Sequence, residues 1–266
     1  TLSGTGNISA NGNKNSSGGR IAVYYSDASQ FELDNVSASG GEFSGTSNYC
    51  GAGSIYLENT TLPKQEAIVK LDNNGSIESG LYTLLQKQVL TDGYTIYGSG
   101  ASNTIVRLDG DFSTKDTSLR LDGVTAELIG ENHFIDIDLQ NGSRITTLKA
   151  EDQDSPKLRL IADNINISEG TSISVTGRGL PGTIHDGLNK NYGGSYGGCG
   201  GIKTDQWFDT LPTFGSVHTP DDFGIGGVAS SDPEVTIGGG SVYIEVANQL
   251  TIDGSITSNG SYSWYT

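Results

Sequence analysis

The chain has no methionine, only two tryptophans, two cysteines and six prolines, and its 15 basic residues are outnumbered by 31 acidic ones. Each scarcity excludes something. A formal charge of −16 argues against gripping a phosphate backbone, which takes clustered Lys and Arg, so no nucleic-acid partner is expected. No apolar run approaches the roughly 18 residues of a spanning helix, so no membrane insertion is expected. Hydrophobic residues make up 34%, too few to fill the centre of an ordinary two-layer globule. Helical periodicity is also missing. Residues 81–90 (LYTLLQKQVL) come nearest, and they read equally well as a pair of strands. With neither methionine nor a leader peptide, the sequence reads as a mature or excised segment.

What is abundant is glycine, 39 residues, about twice ordinary usage. Residues 238–260, GGGSVYIEVANQLTIDGSITSNG, show how it is used. Val242, Ile244 and Val246 recur at every second position, then Leu250 and Ile252, and Ile256 follows an Asp253-Gly254 turn. A period of two puts these side chains on one face of successive short strands.

The same grammar returns elsewhere. Residues 18–41 carry Ile21, Val23 and Tyr25, then Phe31 and Leu33, then Val36. Residues 158–177 carry Leu158, Leu160 and Ala162, then Ile165 and Ile167, then Ile173 and Val175. A shorter copy starts at Gly51 (GAGSIYLEN), and residues 2–12 match residues 250–260 at the leucine, the central glycine, the isoleucine and the closing Asn-Gly. Self-similar units of roughly 20–25 residues, each too small to bury its own face, are the signature of a stacked repeat.

The expected fold is therefore all-β: a single-domain parallel β-solenoid (β-helix), right-handed by the default for parallel crossovers, with a long Gly-rich flank insertion. A sandwich of ordinary hairpins is the alternative. Residues 1–60 read as regular coils and 61–150 as diverged ones, with Val106 and Leu108, Leu119 and Leu121, and Ile135, Ile137 and Leu139 alternating. Regular coils resume over 151–178. Residues 179–237 read as an ordered Gly/Pro-rich excursion anchored by Trp207, Phe208, Phe214 and Phe223. Residues 238–266 close the chain with a coil and an aromatic tail.

Chemical motifs are weak. Residues 193–197 (GGSYG) fit the serine-hydrolase elbow but lack the strand and helix that it needs. Residues 177–182 (GRGLPG) fit a dinucleotide loop, yet no helix pattern follows to bind phosphate. His133, His185 and His218 have no metal-ligand spacing. Asp152 with Asp154, and Asp221 with Asp222, could touch a structural calcium ion without forming a known loop motif. Asp136 and Asp138, outward on a strand whose inward residues would be Ile135, Ile137 and Leu139, are the nominees for a glycan-cleaving carboxylate pair; a solvated strand face explains them as well. No catalytic residue and no cofactor is assigned.

Sequons occur at Asn7, Asn15, Asn35, Asn59 and Asn166, and at Asn74, Asn141 and Asn259, where Asn-Gly-Ser is also ordinary turn chemistry. The first five are candidates for N-glycosylation in a secreted protein. Cys50 and Cys199, each in a Gly-rich stretch, could form a disulfide outside the cell if the fold brings them together.

The order GGSYGGCGG (193–201), FGS (214–216), PDDFGIGG (220–227) and GGGSVYIEV (238–246) resembles a Gly-rich repeat family of extracellular proteins, found in mastigoneme-type flagellar-hair proteins of heterokonts and in large bacterial surface or adhesin proteins. Tyr196 stands where that pattern tends to have histidine. The resemblance implies an extracellular β-solenoid with structural or adhesive work and brings no catalytic residues with it. The expectation is a building block of a cell-surface filament or adhesin stalk, associating with itself or with neighbouring repeats, head-to-tail through matching terminal coils. A glycan-binding or glycan-cleaving module (polysaccharide lyase or hydrolase), receiving sugars on Trp207, Tyr192 and Tyr196, is the alternative.

Overall fold

A computed structural model of the chain describes residues 1–43, 49–63, 67–71, 81–87, 95–98, 104–182, 213, 215–227 and 236–262. Cys199, Trp207, Phe208, Phe214, Tyr192, Tyr196, His185, Asn74 and the elbow-like Ser195 lie outside these residues.

Alternating apolar and β-branched residues favour a pleated, half-buried backbone. The described residues accordingly form short strands, with the 3-10 turn Leu33–Asn35 as the one helical element among them. In chain order these are β1 (Ile8–Ser9), β2 (Arg20–Tyr25), β3 (Val36–Ser37), β4 (Ser54–Asn59), β5 (Ile68–Leu71), β6 (Thr83–Gln86), β7 (Thr95–Gly98), β8 (Ile105–Asp109) and β9 (Leu119–Asp122). There follow β10 (Thr125–Glu127), β11 (Glu131–Gln140), β12 (Arg144–Thr146), β13 (Leu158–Ile167), β14 (Ser172–Ser174), β15 (Thr236–Ile237), β16 (Val242–Ile252), β17 (Ser255–Thr257) and β18 (Ser261–Tyr262). The stretch that came nearest to a helix supplies β6.

Eight strands make one sheet, in the order β2-β4-β5-β7-β9-β11-β13-β16, and six make another, in the order β6-β8-β10-β12-β14-β17. From β5 to β14 successive strands alternate between the two sheets, and β16 and β17 continue the alternation. Each returning strand lies parallel to its predecessor in the same sheet. The molecule is all-β with parallel sheets.

Register aligns the repeat motifs. Leu158, Leu160 and Ala162 on β13 pair with Val242, Ile244 and Val246 on β16, and Ile165 and Ile167 pair with Leu250 and Ile252. In the smaller sheet Val106, Ala126, Ile145, Ile173 and Ile256 are successive partners. In the larger, Ile96, Leu121, Leu139, Ile167 and Ile252 are. The first four of each column are at most 1% exposed. Parallel strands sit about 4.8 Å apart, so each aliphatic packs on the next rung, contributing roughly 1.5–3 kcal/mol when fully buried.

One inward assignment is corrected. Ile135 is 40% exposed, and Phe134, at 0%, points into the core instead. Inward residues on β11 run Asn132, Phe134, Ile137, Leu139, so the alternation slips by one residue after Phe134. On β13 the same slip separates Ala162 from Ile165. On β16 an extra residue makes a bulge opposite Asp163.

Among the described strands of the eight-stranded sheet, direction reverses once. β2 and β4 are parallel to each other, but β4 and β5 pair antiparallel, with Tyr56 opposite Val69 and Leu57 opposite Ile68. The core changes face at the same boundary. Ile55 and Leu57 pack with Val36, Ala38, Ile21 and Val23, whereas Val69 and Leu71 pack in the main core on the other face, where Tyr56 joins them. Reversing the strands alone would invert the sense in which the chain circulates. Moving the second layer to the opposite face offsets that inversion.

Glycine serves close backbone approach. A Cβ on Gly53 would lie 1.8 Å from the Gly19 carbonyl oxygen, and one on Gly238 would lie 2.0 Å from that of Gly224. Around Gly238, backbone pairs join three separate segments: Gly179 N–H donates to Gly238 O (2.9 Å) and Leu180 N–H to Gly224 O (2.9 Å). Phe223, 1% exposed, anchors this flank, with its N–H on Gln153 Oε1 (2.9 Å) and its carbonyl accepting from Gln153 Nε2 (3.1 Å).

Candidate functional site

The outer face of the eight-stranded sheet gathers most of the polar chemistry that the sequence suggested. Because side chains alternate along each strand, residues in register on β11, β13 and β16 form rows across the sheet. Asp136, Asn164 and Gln249 make one row; Asp138, Asn166 and Thr251 make the next, with Arg120 opposite Asp138 on β9. Asn164 Nδ2 donates to Asp136 Oδ1 (2.8 Å), Asn166 Nδ2 to Asp138 Oδ1 (2.8 Å), and Gln140 Nε2 to Asp138 Oδ2 (2.8 Å). The two rows and Arg120 line a depression of about 400 Å³. Asp136 and Asp138 point outward as expected, and each is tied to an amide on the neighbouring strand.

Further along the same face, Glu131, Arg159 and Tyr243 are in register. Glu131 Oε1 lies 2.9 Å from His133 Nε2, and its Oε2 lies 3.2 Å from Arg159 Nε, close enough for charge pairing without hydrogen-bond alignment. The His133 hydrogen bond, more than the charges of His133 and Arg159, holds the Glu131 carboxyl below the usual glutamate range. The Arg159 guanidinium lies 4.3 Å from the centre of the Tyr243 ring. Tyr243 donates its hydroxyl to Glu245 Oε2 (2.9 Å), and that bond, followed by the charge of Glu245, raises the phenol above its ordinary value.

The other nominees are dispersed. Asp152 Oδ1 accepts from the Asp154 N–H (3.0 Å) and from Ser155 Oγ (3.1 Å), which is turn chemistry. Among the described residues no group of three or more His, Cys, Asp and Glu side chains is placed to hold a metal ion. The dinucleotide-like residues 177–182 run from a turn at Gly177 (φ +65°) into bridges at Leu180 and Pro181. His218 is exposed. Cys50 is buried and has no disulfide partner among the described residues, from which Cys199 is absent.

The sequons fall in different settings. Asn7 and Asn15 are exposed, Asn35 ends the 3-10 turn, and Asn166 sits within β13 with its amide on Asp138. Asn59 closes β4, and its Oδ1 accepts from both Thr61 N–H (3.0 Å) and Thr61 Oγ1 (2.7 Å) in a surface turn.

What the sequence reading missed lies on the other sheet. Arg107 pairs with Glu127, and its guanidinium lies 3.8 Å from the centre of the Tyr82 ring. Arg144 and Arg178, 34 positions apart in the chain, line the same depression beside Glu127. Isolated basic residues at such spacing carry no motif, and only the rung-to-rung register brings them together. No protein-family model matches this chain, nor does any curated protein or solved structure.

Proposed function

We propose that this chain is a stretch of an extracellular β-solenoid that does structural work in a cell-surface filament, appendage or adhesin stalk. The observation that carries this reading is how the stack ends. The inward columns run through the layers to β16 and β17, edge strands among the described residues, and there Leu250 is 42% and Ile252 47% exposed. Their register partners Ile165 and Ile167 are at most 1% exposed. An unpaired parallel edge carrying aliphatics in phase with the core is a template for one more rung, from a second copy or from a neighbouring repeat. The acids of the large outer face support a structural reading because amides on adjacent strands take them up. The sequons, with Asn59 held in a surface turn, and the likeness to hair and adhesin repeats support an extracellular place.

The test is axial growth. Purified chain at rising concentration is viewed by negative-stain electron microscopy beside the Leu250→Lys/Ile252→Lys variant. End-to-end rods formed by the wild type and abolished in the variant support the proposal. Single particles of unchanged length at every concentration count against self-assembly.

A further inference from the structure

Five of the described basic residues are paired with acids within the fold. Lys70 Nζ lies 3.2 Å from Asp34 Oδ1 and Lys87 Nζ 2.9 Å from Asp116 Oδ1; Lys115 pairs with Asp163, Arg107 with Glu127 and Arg159 with Glu131. Among the described residues, the guanidinium groups of Arg144 and Arg178 have no ion-pair or hydrogen-bond partner. Both line one depression of about 530 Å³ on the outer face of the six-stranded sheet.

The rest of that lining is mostly hydroxyl. Thr125, Thr146 and Ser174 face it from β10, β12 and β14, and Thr176 follows just beyond Ser174. Two of these hydroxyls are fixed by their neighbours: Thr257 Oγ1 donates to Ser174 Oγ (2.8 Å), and Thr176 Oγ1 donates to Thr257 Oγ1 (3.2 Å). Among the described residues Glu127 is the one acid in the lining; it is 9% exposed, and Arg107 occupies its carboxylate. The depression thus presents two free guanidinium forks and a row of hydroxyls on a chain of net charge −16.

We infer that this face binds an acidic polysaccharide through its carboxylate or sulfate groups. A guanidinium fork meets a planar carboxylate or a sulfate with two parallel hydrogen bonds. Rows of hydroxyls about 4.8 Å apart offer repeating donors and acceptors to a repeating polymer. An acidic peptide fits less well: peptides dock by adding to a sheet edge or filling apolar pockets, whereas this site lies on a sheet face with Ile105 as the one apolar side chain among its described residues. The binding is independent of whether the layers extend end to end.

Affinity electrophoresis of the whole chain at low ionic strength tests it, in gels containing polygalacturonate, dextran sulfate, neutral dextran or poly-glutamate. Retardation by one or both anionic glycans is expected, weakening with added salt, and dextran should have no effect. Arg144→Gln/Arg178→Gln should weaken retardation by about tenfold or more, with circular dichroism and melting temperature retained, since both side chains are outside the core. The control Lys14→Gln/Arg20→Gln should behave as wild type. Polygalacturonate and dextran sulfate separate the carboxylate from the sulfate source. Retardation by neither, retardation unchanged in the arginine variant, loss equal in the control, or equal retardation by poly-glutamate would overturn the inference.

Discussion

Tyr56 on β4 stands opposite Val69 on β5 across the antiparallel junction of the eight-stranded sheet, and it is where the two cores meet. Its neighbours Ile55 and Leu57 face the smaller core, while Tyr56 itself packs against the larger. On its open side the ring meets Tyr24 edge-on, at a centroid distance of 5.6 Å. Removing the ring should therefore loosen the N-terminal rungs from the rest. Tyr56→Ala is expected to cost about 2 kcal/mol in urea denaturation, with faster amide exchange on β2 and β4 than on β11 and β13. Tyr56→Phe loses a half-exposed hydroxyl bond to Glu58 and should cost less than about 1 kcal/mol. Uniform exchange across both halves in Tyr56→Ala would contradict the junction's role.

Close backbone packing makes a second prediction. At Gly53 an added methyl meets the Gly19 carbonyl, so two backbones must separate. At Gly142 (φ +77°) nothing lies within 4 Å of the added methyl, and only conformational strain remains. Gly142→Ala should cost about 1 kcal/mol and Gly53→Ala clearly more, about 3 kcal/mol or failure to fold. Chemical denaturation of the two variants side by side measures the difference. Equal costs would mean that the rungs around Gly53 are not in contact.

The Glu131 cluster gives a pH dependence with a definite sign. The folded carboxyl titrates below its unfolded value. Its stabilising contribution is therefore complete above the unfolded glutamate range and is lost as pH falls through the folded value. Carbon-detected NMR titration should place Glu131 below the usual glutamate range, and His133→Gln should move it back toward that range. A Glu131 titration unaffected by His133→Gln would contradict the assigned cause.

Much of the architecture was legible because burial imposes a period of two. Leu158 to Ile167 and Val242 to Ile252 read as copies of one motif, and the register pairs them residue for residue up to the bulge. Asp136 and Asp138 read as outward, and they are. The alternation carries no polarity, so the reversal between β4 and β5 could not be read from it. A slip is equally invisible when both candidates are large and apolar, as Phe134 and Ile135 are. Arg144 and Arg178 carry no sequence signal because their neighbourhood is created by stacking, not by sequence spacing.

The chain returns to the same sheet one rung on, in register, by way of the opposite sheet. A double-cysteine cross-link checks this register. Ser172 on β14 and Ser255 on β17 are register partners 83 positions apart in sequence, and neither contributes to the buried core. Adjacent parallel strands put their Cα atoms about 4.8 Å apart, within the span that a disulfide accepts. With Cys50 and Cys199 replaced by serine, Ser172→Cys/Ser255→Cys should oxidise to an intramolecular disulfide seen by peptide mapping, while Ser172→Cys/Ser9→Cys should not. Failure of the first pair to close, or equal closure of both, would contradict the stacked register.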